Sequence, residues 1–169
     1  MLRHFTAGSL VLIAAMALVA VQADEAASEG EGKKFSAKCP VSGSAAKQDQ
    51  NADYRLGKEN MGKVYFCCGK CRAAFVKDRT KKYHAKANAQ LVATGQYVQK
   101  KCPLTGGPLK TESKVEDLDV TVKFCCNNCK KKFDEASGDD KVQMAFADKA
   151  FRKGWERDRK RKAQEKAQE

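Results

Sequence analysis

Val64-Tyr65-Phe66-Cys67-Cys68-Gly69-Lys70-Cys71 is the stretch of the sequence that decides the fold. Residues Lys63 to Cys67 alternate along the chain and are rich in valine and aromatic side chains, which predicts a short strand. From Gly69 the composition changes to helix formers, so a helix should begin there, with Cys71 and Phe75 one turn apart on one face. A strand-to-helix turn of this kind brings the cysteine sulfurs together, as in zinc-binding knuckles.

The same pattern occurs a second time, as Val122-Lys123-Phe124-Cys125-Cys126-Asn127-Asn128-Cys129. Each copy is preceded by a cysteine in a Pro/Gly turn, Lys38-Cys39-Pro40-Val41-Ser42-Gly43 in the first and Lys101-Cys102-Pro103-Leu104-Thr105-Gly106 in the second. The first and second cysteines are 28 residues apart in one copy and 23 in the other. The repeat predicts two tandem modules of one fold, and a hairpin between these cysteines can accommodate the length difference.

The remaining elements follow from composition. A second strand of this type is expected from Asp119 to Cys125, with Asn127 as the N-cap of the helix that follows. Asn60-Met61-Gly62 is typical of a turn. Further helices are predicted from about Thr80 to Val92 and from about Asp139 to Ala150. The fold class is therefore α+β, with two tandem, small, cysteine-rich metal-knuckle modules, each a β-hairpin followed by helices.

The start of the chain has the layout of a secretory signal peptide. Arg3 precedes an apolar run from Ser9 to Val21, and Val21-Gln22-Ala23 is a small-residue cleavage pattern. The run is shorter than the roughly 20 residues that span a bilayer. We expect an exported protein, periplasmic or secreted, cleaved near Ala23. The predicted segments are a signal peptide (1–23), a disordered spacer (24–37), module 1 (38–92), a linker (93–100), module 2 (101–150) and a basic C-terminal helix or tail (151–169).

All eight cysteines are candidate metal ligands, four in each module: Cys39, Cys67, Cys68, Cys71, Cys102, Cys125, Cys126 and Cys129. Thiolates are the ligands that bind a metal, and the start of a helix favours them. Adjacent cysteines on an extended strand point to opposite faces, so Cys39, Cys67 and Cys71 are the safer set in module 1. Three thiolates suit Cu(I), whereas a structural zinc ion takes four ligands. One ion per module is expected, and Zn and Cu(I) both remain open.

These motifs resemble the YHS and TRASH group of small heavy-metal-associated domains, whose members carry a Tyr-Phe-Cys-Ser-x-x-Cys knuckle on a treble-clef-like scaffold. The matching stretches begin at Tyr65 and at Lys123, and the resemblance covers about residues 38–84 and 101–140. It implies treble-clef-like modules that serve metal trafficking, storage or sensing, often of copper or zinc.

The chain departs from the family pattern at two places in each module. The serine that follows the first knuckle cysteine in the family is Cys68 in one module and Cys126 in the other. The family commonly has Cys-x-x-Cys-Gly in the first half of its site, but Ser42 and Thr105 stand at the second cysteine here. The number of cysteines per module stays at four, and the ligand geometry of the family cannot be transferred.

Two other classes of function fit parts of the sequence. An even number of cysteines in an exported chain is typical of a disulfide framework, for example Cys39 with Cys71, in a disulfide-stabilised envelope interaction protein. The spacing from Cys68 to Cys71 is also that of a thiol–disulfide oxidoreductase. Against an enzyme, the motif lacks a βαβ context, and its second copy has different residues between the cysteines. We expect no enzyme, and we interpret His84, which aligns with Val142, as a surface histidine.

The charge of the chain restricts its partners. The formal net charge is +12, and an exported basic protein rarely meets nucleic acid. The charge indicates a solvated, lysine-rich surface, and the alternative is contact with anionic membrane headgroups or envelope polymers. Phe151 and Trp155 should pack on module 2, followed by a solvated basic tail. The part of the tail after Lys160 has no apolar residue larger than alanine and should be dispensable for folding. The alternative is an amphipathic helix from this region that lies on an anionic surface. The sequence sets no oligomeric state.

Overall fold

The computed structural model describes residues 35–115 and 118–159. Within these residues the strands form three antiparallel pairs, β1 with β2, β4 with β5 and β3 with β6. In chain order the elements are β1 (Lys47–Leu56), β2 (Glu59–Phe66), α1 (Gly69–Lys77), α2 (His84–Ala93), β3 (Tyr97–Gln99), β4 (Thr111–Val115), β5 (Val120–Phe124), α3 (Asn127–Glu135), α4 (Gly138–Phe146), α5 (Asp148–Gly154) and β6 (Trp155–Arg157). The predicted mixture of small antiparallel hairpins and helices is confirmed.

The hairpin of module 1 is longer than that of module 2. β1 and β2 have 10 and 8 residues, whereas β4 and β5 have 5 each. The chain turns at Gly57, which has a φ of 65°, and the turn predicted at Asn60-Met61-Gly62 is wrong because these residues lie in β2. A register shift opposite them, between Tyr54 and Arg55, keeps the three residues in the paired strand.

In each module a strand that ends in phenylalanine passes into a helix through the two adjacent cysteines. Phe66 and Phe124 are fully buried at the strand ends. Phe75 of α1 packs against Phe66 with ring centroids 5.2 Å apart, and Phe133 of α3 packs against Phe124 at 4.9 Å. These aromatic pairs hold each helix against its hairpin and so fix the direction in which the helix leaves the cysteines.

The N-cap of α3 is Cys126, so the prediction of Asn127 is wrong by one residue. Cys126 has extended backbone angles, φ −161° and ψ 166°, and Asn127 is already the first helical residue. Cys68 stands at the N-cap of α1 with nearly the same angles, φ −160° and ψ 167°. The second cysteine of each adjacent pair is therefore the hinge between strand and helix.

The two predicted downstream helices differ in their limits from the observed ones. α2 begins at His84 rather than near Thr80, because Lys81 has a φ of 62°, which a right-handed helix cannot contain. The helix predicted from Asp139 to Ala150 is two helices, since Ala147 between α4 and α5 has a ψ of 148°. This break allows side chains of both helices to enter the core.

The two modules pack against each other through their helices. α2 of module 1 contacts α4 and α5, and the side-chain amide of Asn88 on α2 donates a hydrogen bond of 2.9 Å to the carbonyl oxygen of Phe146. Phe146 and Phe151 are both 0 % exposed. Burial of a large apolar side chain is worth roughly 1.5–3 kcal/mol, so this contact contributes substantially to stability.

The segment predicted as a linker contributes to the core. β3 lies within it and pairs with β6, so that Tyr97 faces Phe151 with ring centroids 4.8 Å apart. Trp155 stacks on Phe146 at 5.4 Å, and its indole N–H donates to the carbonyl oxygen of Ala145. The predicted basic helix from residue 151 thus ends at Gly154 and continues as a strand.

The predicted signal peptide and most of the predicted spacer lie outside the described residues, as does the tail from Lys160. The spacer's last residues are described: the Phe35 ring packs edge-on against Tyr65 at 4.9 Å, and the carbonyl of Ala37 accepts a hydrogen bond from Ala46. In the described part of the chain, no helix combines the length and apolar character needed to cross a membrane.

Candidate metal centre

The first cysteine of each module opens a tight turn. In module 1, the N–H of Gly43 donates to the carbonyl of Cys39 at 2.8 Å, and the N–H of Cys39 donates to the carbonyl of Ser44 at 2.7 Å. Gly43 has a φ of 76°, a conformation that glycine adopts without strain. The turn holds Cys39 at 1 % exposure, with its thiol directed into the module.

Module 2 repeats this turn almost contact for contact. The N–H of Gly106 donates to the carbonyl of Cys102 at 2.7 Å, and the N–H of Cys102 donates to the carbonyl of Gly107 at 2.9 Å. Gly106 has a φ of 83°, and Cys102 is 0 % exposed. The Cys-Pro-x-Ser/Thr-Gly sequence therefore specifies one local structure in both modules.

Each module brings three sulfurs close enough to hold one metal ion. All sulfurs within a triad lie within 4.8 Å of one another, and the two triads are Cys39, Cys67 and Cys71, and Cys102, Cys125 and Cys129. The two knuckle sulfurs are 3.6 Å apart in both triads. Metal–sulfur bonds of about 2.3 Å place sulfurs about 3.8 Å apart around a tetrahedral ion and about 4.0 Å apart around a trigonal one. The triads thus fit either geometry with small movements.

The second cysteine of each adjacent pair lies outside these triads. Cys68 and Cys126 are exposed, and their sulfurs lie 3.8 Å from the Cys67 sulfur and 3.7 Å from the Cys125 sulfur. All eight cysteines are free thiols. Of the eight predicted ligands, the structure therefore gathers six into two triads and leaves two on the surface beside them.

A hydroxyl group lies against the sulfurs of each triad. The Ser42 Oγ is 3.3 Å from the Cys67 sulfur, and the Thr105 Oγ1 is 3.1 Å from the Cys125 sulfur. Sequence reasoning treated these two residues as positions where a ligand is missing. The structure shows them as hydrogen-bonding partners of the thiols, and their shared place before the glycine of each turn was the signal.

Hydrogen bonds favour the thiolate of the buried cysteine. Burial of the Cys39 thiol acts to raise its pKa, but the Ser42 hydroxyl and nearby backbone N–H groups outweigh this and lower the pKa from 9.0 to about 7. The same opposition of burial and hydrogen bonds, here with the Thr105 hydroxyl, lowers the pKa of Cys102 to about 7. One negative charge therefore forms readily inside each site at neutral pH.

The third cysteine of each triad responds to that charge. The pKa of Cys71 is raised to about 12, first by its hydrogen bond with the Cys67 thiol and also by the charge on Cys39. Burial is the largest cause for Cys129, whose pKa is likewise raised to about 12. Three neighbouring thiolates repel one another, so a cation is needed to stabilise the fully deprotonated set.

The exposed cysteines are also biased toward thiolate. The backbone N–H of Cys71 is the largest cause of the lowered pKa of Cys68, and the backbone N–H of Cys129 acts on Cys126 in the same way. Both are N–H groups of the first helical turn, whose free donors favour negative charge. Hydrogen bonds to the sulfurs are therefore the main causes of both lowered pKa values.

A glutamine side chain supports the metal-binding segments of each module. In module 1, Gln90 of α2 accepts a hydrogen bond from the N–H of Tyr65 at 2.7 Å and donates to the carbonyls of Tyr65 and Lys38. Lys38 precedes the buried cysteine, and Tyr65 lies two residues before Cys67. One amide thus connects the turn to the strand that leads into the knuckle.

Module 2 has an equivalent amide from another part of the chain. Gln99 of β3 accepts a hydrogen bond from the N–H of Lys123 at 2.7 Å and donates to the carbonyls of Lys123 and Lys101. Lys101 and Lys123 occupy the positions of Lys38 and Tyr65 in the repeat. The sequence did not identify either glutamine, because Gln90 lies beyond the cysteine motifs of module 1 and Gln99 precedes module 2.

His84 lies in the contact between the modules and outside both triads. Its side chain is only 16 % exposed, its ring packs against Tyr54 at 5.2 Å, and its Nδ1 is 3.2 Å from a carboxylate oxygen of Asp148. The histidine predicted at the surface is therefore half-buried, and it belongs to neither triad. A residue at the start of α2 becomes covered because α5 packs there.

Comparison with known proteins identified no similar protein. No protein-family model matches the chain, and neither a curated protein nor a solved structure shows a significant match. The site must therefore be interpreted from its own geometry.

Proposed function

We propose that this protein binds thiophilic metal ions, one in the three-sulfur site of each module, and serves to handle or buffer them. The observation that carries the proposal is the repetition of the triad. Two segments of different sequence and hairpin length each place three sulfurs within 4.8 Å, beside one hydroxyl group. A merely structural role for buried cysteines gives no reason for the same arrangement to occur twice.

Cu(I) is the ion that this donor set supports best. Soft thiolates select Cu(I), and a three-sulfur site satisfies it without a fourth ligand. Zinc is the second candidate, since Cys68 lies 3.8 Å from the Cys67 sulfur and a small shift would bring it to a tetrahedral ion. Three thiolates and one monovalent cation leave a net negative site, which the hydrogen bonds from Ser42 and the backbone help to stabilise.

The resemblance to the YHS and TRASH domains gives this proposal a fold and a role. We propose that each hairpin with its helix is a treble-clef-like module of that kind. Support comes from the strand-to-helix knuckle with a buried phenylalanine on each side, Phe66 with Phe75 and Phe124 with Phe133. Metal trafficking or storage is the role that such domains suggest.

The proposed place of action is outside the cytoplasm, after cleavage near Ala23, and the proposed activity is binding without catalysis. The apolar run before Ala23 supports export. Metal ions are the proposed partners, with an anionic surface as a second partner for the basic C-terminal residues.

The test is elemental analysis of the full-length protein purified natively, together with a free-thiol count. Two equivalents of a soft metal, and eight reactive thiols once the metal is removed, are expected. Protein that contains disulfides and no metal would instead support the disulfide-stabilised interaction protein. Turnover in an insulin-reduction assay would support the oxidoreductase.

A further inference from the structure

We propose that Cys68 and Cys126 are exchange thiols, which accept the metal ion from an external thiolate donor, pass it to the buried triad and return it by the same route. The inference rests on the proposed metal-binding function. It assigns a separate task to the two cysteines that the triads leave out.

In module 1 the exposed sulfur lies beside one member of the triad. The sulfurs of Cys39, Cys67 and Cys71 all lie within 4.8 Å of one another. The Cys68 sulfur lies outside this triad, 3.8 Å from that of Cys67. A metal ion bound by Cys68 can therefore form its bond to Cys67 before the bond to Cys68 breaks.

Module 2 has the same arrangement. Cys102, Cys125 and Cys129 form the triad, and the Cys126 sulfur lies 3.7 Å from that of Cys125. The equivalence extends to the backbone, because both exchange thiols occupy an N-cap position with nearly identical angles. Both modules therefore place an exposed cysteine at the same position beside the triad.

The buried cysteine of each triad is not accessible to a metal ion that is still bound to a donor molecule. Cys39 is 1 % exposed and Cys102 is 0 % exposed, so a metal ion that still carries a donor molecule cannot reach either sulfur. Cys68 and Cys126 are exposed at the start of a helix. They are the sulfurs that an incoming complex meets first.

Helix capping does not account for these two cysteines. Serine, threonine, aspartate and asparagine are the residues preferred at an N-cap, because their side-chain oxygen accepts a backbone hydrogen bond. Cysteine is not in this group, yet it occupies the N-cap of both α1 and α3. A chemical role of the sulfur explains the choice better than the stability of the helix does.

The exchange is a balanced ligand substitution without oxidation or reduction. The thiols of Cys68, Cys67 and Cys71 each release a proton to solvent as their sulfur–metal bonds form, and each donor thiolate takes up a proton as its bond to the metal breaks. The Cys39 thiolate then binds the ion, and Cys68 leaves and regains a proton. The metal keeps its oxidation state throughout, and the donor class is a low-molecular-weight thiolate complex of Cu(I).

The experiment compares equilibrium binding with transfer rates in full-length protein under anaerobic conditions. Cu(I) is presented as its glutathione complex, and its removal is followed with the chromogenic chelator bathocuproine disulfonate. The variant is Cys68→Ser combined with Cys126→Ser. The control is Asn128→Ser, an exposed, neutral position of the same turn in module 2.

We expect the double variant to hold two equivalents with an affinity like that of the parent. Its uptake and release should each be about tenfold slower, which corresponds to a barrier higher by about 1.4 kcal/mol. The control should match the parent in both rates.

Three results would overturn the inference. Unchanged rates in the double variant would mean that the triad loads directly. A drop below two equivalents would make Cys68 and Cys126 permanent ligands, while the proposed function would stand. Absence of Cu(I) from the parent itself would remove the proposed function first, and the inference with it.

Discussion

Module 1 and module 2 agree closely at the sulfurs and differ in almost everything that supports them. The knuckle sulfurs are 3.6 Å apart in both, and the N-cap angles agree within 1°. By contrast, the hairpins differ in length, and the supporting glutamine comes from α2 in one module and from β3 in the other. A short local motif therefore specifies the positions of the sulfurs. The glutamine that supports the motif can come from a different element in each module.

The largest expected effect comes from a broken triad. Cys71→Ser should reduce the metal content from two equivalents to one, and Cys129→Ser should do the same for the other module. Each triad draws its sulfurs from its own module, so loss of one ligand leaves the other site complete. Titration of the reduced variants with Cu(I) measures this.

The buried cysteine should matter as much as the knuckle. Cys39→Ser and Cys102→Ser are therefore expected to behave like the two variants above. Loss of both ions from any single variant would show that the modules form one joint site. A single shared ion in the parent would show the same.

The next effect tests the different supports. Gln90 is 3 % exposed, and Gln90→Ala removes the partner of three partly buried backbone hydrogen-bonding groups. An unsatisfied buried polar group costs about 1–3 kcal/mol, so the metal-free protein should show a clearly lower midpoint in urea. Gln99→Ala should cost less, because the hydrogen bonds of Gln99 lie at the surface and water can replace them.

Exposed Gln143 of α4 provides the control, since Gln143→Ala removes a glutamine that faces solvent. If Gln90→Ala and Gln99→Ala lower the free energy of unfolding equally, burial of the amide makes no difference to its contribution in the two modules. In that case the difference in support would have no energetic meaning.

A third effect concerns the hydroxyl groups and pH. Metal binding requires thiolates, and the Cys39 thiol, with a pKa of about 7, is protonated below that pH. Below about pH 7, binding of Cu(I) must therefore displace one more proton than it does above that pH. The logarithm of the Cu(I) affinity should fall more steeply with decreasing pH in that range. Ser42→Ala removes a hydrogen bond that lowers this pKa, so the change of slope should move to higher pH. Chelator competition across this pH range measures the slope.

Thr105→Val is the matched change in module 2, because the Thr105 hydroxyl lowers the pKa of Cys102 in the same way. The two variants should shift the change of slope in the same direction. Two results would show that the hydroxyls do not set the protonation of the buried thiols. One is a slope that is constant across the pH range, and the other is a change of slope that occurs at the same pH in the parent and in both variants.

Local signals carried most of what the sequence predicted. The change from strand to helix at the cysteines was predictable because alternating β-branched and aromatic residues give way to helix formers within a few positions. The opposite directions of neighbouring strand side chains predicted which cysteines share a site, and the structure brings Cys39, Cys67 and Cys71 together.

Contacts between distant segments were not predictable. Gln90 meets Lys38 across 52 residues, and nothing in the composition of α2 distinguishes this glutamine from a solvent-facing one. β3 and β6 have three residues each, too few for an alternating pattern, so their pairing follows from the packing of Tyr97 on Phe151. The hairpin turn was misplaced because Asn60-Met61-Gly62 has turn composition, and a register shift opposite these residues keeps them in the strand.

The smallest effect is expected at His84, a histidine of module 1 whose aligned position in module 2 is Val142. His84→Ala should leave two equivalents bound, because the imidazole lies in the contact between α2 and α5, against Tyr54 and Asp148, and belongs to neither triad. The variant loses an aromatic edge contact and a hydrogen bond, together about 1–2 kcal/mol, which lowers the melting temperature by a few degrees. Metal analysis and thermal unfolding of the same sample separate the two roles. Loss of one equivalent would make His84 a ligand and the two sites chemically different, whereas an unchanged melting temperature would mean that His84 does not contribute to the contact between the modules.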